Sequence, residues 1–237
     1  MILYIVRHGD PIYNPDSLTP KGLRQAEAVG KRLAVFGLDE IYASPLKRAQ
    51  QTAAPAAEML KKEIITKDFM SENLAFNDFR IKHSQMDWCW VWVGLFEKMR
   101  SKEVVELDRR WYEADVFRDT DCKKGCQRIL RESDAFLENL GYRHDYENRR
   151  YIPVNDNDRR IAAFCHEGFG MSWLATILDL PLPTVWQIFS ISHSCYSVIK
   201  FSVHTDGFVY PQLLSFSNDS HLYKEGLPLD HKNEVRI

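Results

Sequence analysis

The sequence predicts an α/β fold in three layers, with a mostly parallel central sheet between helices. Three observations carry this. Short apolar runs of strand length alternate with helical patterns at both ends of the chain. Two of the helices open on a hydroxyl residue followed by proline, at Thr19-Pro20 and Ser44-Pro45. The first apolar run, residues 2–6 (ILYIV), stops at Arg7-His8-Gly9. That places a cation and a potential nucleophile at the carboxyl end of a strand, where open α/β sheets bind their ligands.

The elements follow in order. After the first strand, Pro11, Asn14, Pro15 and Asp16 make a loop, and Thr19-Pro20 begins a helix. Leu23, Ala26, Val29, Gly30 and Leu33 keep helical spacing, and Gly37 is the expected C-terminal cap. Residues 39–43 read as a short strand, and Ser44, as N-cap, starts a second helix to about residue 61. Pro55 is expected to kink or split that helix. Residues 63–67 read as a third strand. Residues 73–145 are expected to form a helical insertion capping one end of the sheet, with Trp88, Trp90, Trp92 and Trp111 among many charges. The clearest stripe there runs from Gln127 to Leu140. Asn155-Asp156-Asn157-Asp158 is expected to turn a hairpin between RRYIPV and RRIAAFC. Helices are expected at Gly168–Leu180 and Pro183–Phe189. Residues 195–203 and 208–216 read as strands joined at Thr205-Asp206-Gly207.

The chain has 237 residues and a net charge of −2. No global field draws it to nucleic acid or to an anionic membrane, so any basic site is local. No apolar run reaches the roughly 20 residues that span a bilayer, and the N-terminus lacks the basic region of a secretion signal. Five scattered cysteines suit reduced thiols and a cytoplasmic setting better than a disulfide framework. Cys122 and Cys126 read as a helix-surface pair rather than half a metal site. His83, His144, His193, His204, His221 and His231 show no ligand spacing and read as ordinary polar positions. No metal and no cofactor is expected.

Four elements fall where strands end: Arg7-His8-Gly9, Arg48, Glu72 and His166. Two arginines and two histidines at sheet ends compose an anion site, since the guanidinium fork suits phosphate oxygens. A neutral histidine among them can act as a nucleophile if its other nitrogen donates to a carbonyl.

The stretches RHGDPIYN, LTPKGLRQA, YASPLKRAQQTA and FCHEG, in this order, resemble the histidine phosphatase superfamily in its phosphoglycerate mutase-like branch. The resemblance covers residues 1–60 and 160–175, not the 73–145 segment. It implies a single domain over 1–237 and a metal-independent phosphomonoesterase for a small phosphorylated substrate. His8 would form a phosphohistidine. Arg7, Arg48 and His166 would hold the phosphoryl group, and Asn14 would add a pocket hydrogen bond. Glu72 stands where the family often places its proton donor; Asp78 is the rival, and Glu97 or Asp108 lie behind it. Glu167, where many relatives carry a small residue, is either solvated or a modifier of pocket charge. Ser44 and Cys165 read as structural. A phosphoglycerate mutase and a non-catalytic binder of phosphorylated ligands are the alternatives. Substrate choice is expected from the insertion, through its tryptophans and Arg109-Arg110.

Overall fold

A computed structural model describes residues 1–229. The first half contains β1 (Ile2–Arg7), β2 (Pro11–Tyr13), β3 (Asp16–Leu18), α1 (Pro20–Phe36), β4 (Glu40–Ala43), α2 (Lys47–Leu60) and β5 (Ile64–Thr66). The middle contains α3 (Glu72–Phe79), β6 (Arg80–His83), β7 (Asp87–Trp90), α4 (Val91–Gly94), α5 (Lys102–Glu106), α6 (Cys122–Asn139), β8 (Tyr142–Asp145) and β9 (Arg150–Pro153). The last part contains β10 (Arg160–Cys165), α7 (Glu167–Ile177), α8 (Leu182–Ile188), β11 (Tyr196–Lys200), β12 (Gln212–Asn218) and α9 (Ser220–Lys224).

The central sheet runs β12-β11-β1-β10-β4-β5. Strands β1, β10, β4 and β5 are mutually parallel, and β11 and β12 continue antiparallel. Side-chain alternation separates two cores. Tyr4 and Val6 of β1, Ala162 and Phe164 of β10, and Ile41 and Ala43 of β4 pack with Val29 and Leu33 of α1 and Ala53 and Ala56 of α2. The opposite residues, Leu3, Ile5, Tyr42, Ile161 and Ala163, pack with Phe136 of α6 and with Phe169 and Trp173 of α7. The expected three layers follow from this period-two pattern.

Parallel strands place their carboxyl ends at one edge. In the β1–β10 register Arg7 faces Cys165, so His8 and His166 emerge side by side. Ala43 of β4 faces Phe164, so Ser44 emerges next to them. Gly9 and Gly22 let the loop after β1 cross α1 closely: a Cβ at Gly22 would lie 2.2 Å from the Asp10 carbonyl oxygen.

Several expectations need correction. Ser44 is not the cap of α2, which starts at Lys47; the Lys47 N–H is taken instead by Asp16, reaching over from β3. Helix α2 runs as one element through Pro55, whose ring lies against Gly30 of α1, where a Cβ would meet it at 2.8 Å. The 155–158 turn does not make a hairpin. Both edges of β10 are filled by β1 and β4, so β9 pairs with β8 instead. The 73–145 segment is not wholly helical: β6 and β7 form a hairpin within it, with Ile81 and Cys89 opposed on its inner face. Alternating aromatic residues in DWCW favour such a strand. Cys122 is buried rather than on the surface of α6, and burial pushes its thiol up to about 12. His231 lies outside the described residues.

Candidate active site

His8, at the end of β1, is almost fully buried. Its Nδ1 lies 2.7 Å from the Gly9 carbonyl oxygen. A carbonyl only accepts, so Nδ1 carries the proton and Nε2 keeps its lone pair. Burial holds the imidazole well below its ordinary pKa. The Gly9 bond opposes this, while Arg48, Arg7 and His193 add to it by repulsion. The ring is therefore neutral at physiological pH. The backbone around it is fixed: the Gly9 N–H donates to Thr52 Oγ1, Thr52 Oγ1 donates to the Arg48 carbonyl, and the Ser194 N–H donates to the His8 carbonyl.

His166 is fully buried, its ring centroid 5.0 Å from that of His8 and edge-on to it. Its Nε2 and Ser44 Oγ are hydrogen-bonded at 2.8 Å. Burial, then His8 and the two arginines, lower its pKa well below normal. Ser44 thus belongs to the site and not to a helix cap.

Arg48 donates through Nη1 to Asp16 at 2.8 Å. Arg7 pairs with Glu167 at 2.9 Å, donates to the Ile191 carbonyl, and meets His193 Nε2 at 2.9 Å. Even so, Arg7 Nε, Arg48 Nε and His166 Nδ1 are buried without a hydrogen-bond partner. Buried polar nitrogens are normally satisfied. Two unpartnered guanidinium N–H groups next to a neutral imidazole are the donor set that a phosphoryl group would complete.

Glu72 is the first residue of α3, not part of the preceding loop. Its carboxylate crosses to α7, accepting the Gly168 N–H at 2.9 Å and the Phe169 N–H at 2.8 Å. Burial raises its pKa, against the pull of those two N–H groups and of both arginines. It lines the same cleft as Arg7, His8, Arg48 and Glu167.

The other candidates fall elsewhere. Asp78 is ion-paired with Arg128 at 2.6 Å and is absent from the cleft wall. Asp108 pairs with Arg149, and Glu97 is exposed. Asn14 is exposed in the β2–β3 turn and does not line the cleft; its neighbours Tyr13 and Asp16 do. Cys165 is buried behind the site, its thiol pushed up by burial. Of the 73–145 segment, Asn73, Phe76 and Trp90 reach the wall. Trp88 lies against Arg80 and Lys82, and Arg110 pairs with Glu113. Arg109 donates to Asp179 and to the Tyr146 carbonyl. Asp179 also meets His144, which is held between it and Asp134. The expected Arg109-Arg110 contact with substrate is thus not made. His193 and Asp16 were not legible as site residues. His193 follows a weakly patterned loop, and Asp16 reads as a turn residue.

Residues 3–88 match the model of the histidine phosphatase superfamily, branch 1. Among curated relatives, phosphoserine phosphatase 1 of Hydrogenobacter thermophilus is 26% identical over 206 residues, 83% of this chain and 85% of the relative. Among solved structures, the phosphoserine phosphatase of Entamoeba histolytica, in complex with 3-phosphoglyceric acid, superposes with a TM-score of 0.59. It is 21% identical, and the match covers 93% of this chain and 98% of that one. A mycobacterial glucosyl-3-phosphoglycerate phosphatase in complex with VO3 gives a TM-score of 0.58 at 16% identity, covering 92% and 99%. Among the described residues, no helix is long and apolar enough to cross a membrane.

Proposed function

We propose that this chain is a phosphomonoesterase working through a phosphohistidine at His8 on a small phosphorylated substrate, without a metal, in the cytoplasm. The observation that carries the reading is the neutral His8, its Nδ1 proton held by the Gly9 carbonyl and Arg7 and Arg48 beside it. No metal is needed to generate a nucleophile that is already deprotonated. His8 Nε2 attacks phosphorus in line, and the bond to the leaving oxygen breaks. Arg7 and Arg48 take the charge on the equatorial oxygens, and His166 holds its place beside them. Glu72 gives its proton to the leaving alkoxide. Its carboxylate then accepts a proton from water as that water attacks the phosphohistidine, releasing inorganic phosphate. A raised pKa suits this double role. Residues 73–145 cap the cleft through Asn73, Phe76 and Trp90. The relatives named above support the reading by family and fold.

The test is turnover in EDTA by wild type, His8→Ala and Glu72→Gln. His8→Ala is expected to abolish turnover and phosphoenzyme trapping. Glu72→Gln is expected to slow alkyl phosphates by about 10²-fold or more while sparing aryl phosphates with acidic leaving groups. Undiminished activity in His8→Ala would overturn the reading.

A further inference from the structure

Resting on the phosphatase reading, we propose that the substrate's alcohol portion is a flat, apolar body without a second anionic group, and that Trp90, Phe76 and Glu167 select it.

The first argument is charge. Arg7 and Arg48 are the cations on the cleft wall. Each already faces a carboxylate, Glu167 and Asp16, and Glu72 adds a third acid to the same wall. With Glu72 protonated as the donor, the two arginines and their two carboxylate partners cancel, so a phosphate dianion alone turns the balance negative. A carboxylate or second phosphate on the leaving group would enter a surplus of negative charge.

The second argument is donors. A second anion could otherwise rest on a helix N-terminus, but those of α7 and α2 have N–H groups already taken, and that of α3 carries the Glu72 carboxyl in its own first turn. Glu72 takes the Gly168 and Phe169 N–H groups of α7, and Asp16 takes the Lys47 N–H of α2. His193 spends Nε2 on Arg7. The unpartnered guanidinium nitrogens serve the transferring phosphoryl group.

The third argument is shape. Trp90 is stacked on Trp92 at 4.2 Å between centroids and is edge-on to Phe76 at 5.0 Å. Its ring lies over Gly168, where a Cβ would meet it at 2.6 Å. These contacts hold the indole in one pose on the wall, a preformed platform for a planar or apolar group.

The experiment compares kcat/KM in EDTA for ethyl phosphate, 2-phenylethyl phosphate, 3-phosphoglycerate and phosphoserine. All have alkyl leaving groups, so the chemical step is similar. The expected order puts 2-phenylethyl phosphate about 10- to 100-fold above both carboxylated esters. Trp90→Leu is expected to collapse the ratio of 2-phenylethyl to ethyl phosphate, a ratio insensitive to partial misfolding. Glu167→Gln is expected to raise 3-phosphoglycerate relative to ethyl phosphate. Preference for either carboxylated ester, with His8→Ala still inactive, would overturn this proposal and leave the phosphatase standing. A ratio unmoved in Trp90→Leu would also overturn it. Absence of turnover on all four esters would overturn both.

Discussion

Gly168→Ala tests the mechanical link between the aromatic wall and Glu72, the proposed proton donor. The new methyl would lie 2.6 and 2.9 Å from two carbons of the Trp90 ring and 3.0 Å from a Glu72 carboxylate oxygen. Trp90 cannot swing freely, because Trp92 and Phe76 hold it. Something must shift, at about 1–3 kcal/mol for an overpacked core position. For a chain of this length that lowers Tm by roughly 2–12 °C. The same shift moves Glu72 off its two N–H donors. Displacing a catalytic group by about 1 Å costs up to about 10²-fold. The assay is kcat on an alkyl phosphate against an aryl phosphate with an acidic leaving group, beside a thermal melt. The alkyl ester should suffer about 10- to 100-fold and the aryl ester only a few-fold, because it needs little protonation. Equal loss on both esters, or no loss with an unchanged Tm, would refute the coupling.

Other perturbations have defined outcomes. His8 and His166 are held neutral well below the ordinary histidine pKa of 6.5. The acid limb of kcat/KM should therefore lie below pH 6.5. As pH falls through 6.5 the unfolded chain takes up protons that the folded one refuses, so both residues destabilise the fold in acid; denaturant titration from pH 7 to 5 measures this. His144, between Asp134 and Asp179, is raised to about 9. Its contribution, at most about 3 kcal/mol, is complete below pH 6.5 and disappears as pH rises through about 9. The stability gap between wild type and His144→Asn should narrow over that window. Asp78→Asn leaves Arg128 without its partner and should cost about 3 kcal/mol. It should leave the ratio of alkyl to aryl turnover unchanged, which separates Asp78 from Glu72 as proton donor.

The parts of the fold legible in the sequence are those governed by local signals. Thr19 caps α1 through the Gly22 N–H, and Gly37 ends that helix at positive φ. Strands β1, β4 and β10 each follow from a short apolar run, and the parallel sheet carries His8, Ser44 and His166 to one edge. The errors arise where a distant partner decides. Ser44-Pro45 looks like a helix start, but Ser44 is claimed by His166 from β10, 122 residues away. RRYIPV and RRIAAFC look like neighbours, but β10 pairs with β1 and β4. Glu72 carries the charge expected at a helix start, yet it satisfies α7 instead of its own helix. A carbonyl partner for His8 is expected in kind, but no sequence signal marks the adjacent Gly9 as that partner.

In the proposed reaction, Arg7 and Arg48 start out already paired, one with Glu167 and one with Asp16. This bears on how the cycle ends. Bare guanidinium groups would clasp the departing phosphate as firmly as the arriving ester, and the enzyme would stall on its own product. With a carboxylate waiting beside each arginine, the cations have somewhere to return when phosphate leaves. On the proposed mechanism, this pairing should ease product release at the expense of initial grip. Removing one of these carboxylates, as in Asp16→Asn, should deepen inhibition by inorganic phosphate, and an unchanged inhibition constant would show that the arginines are not shared in this way.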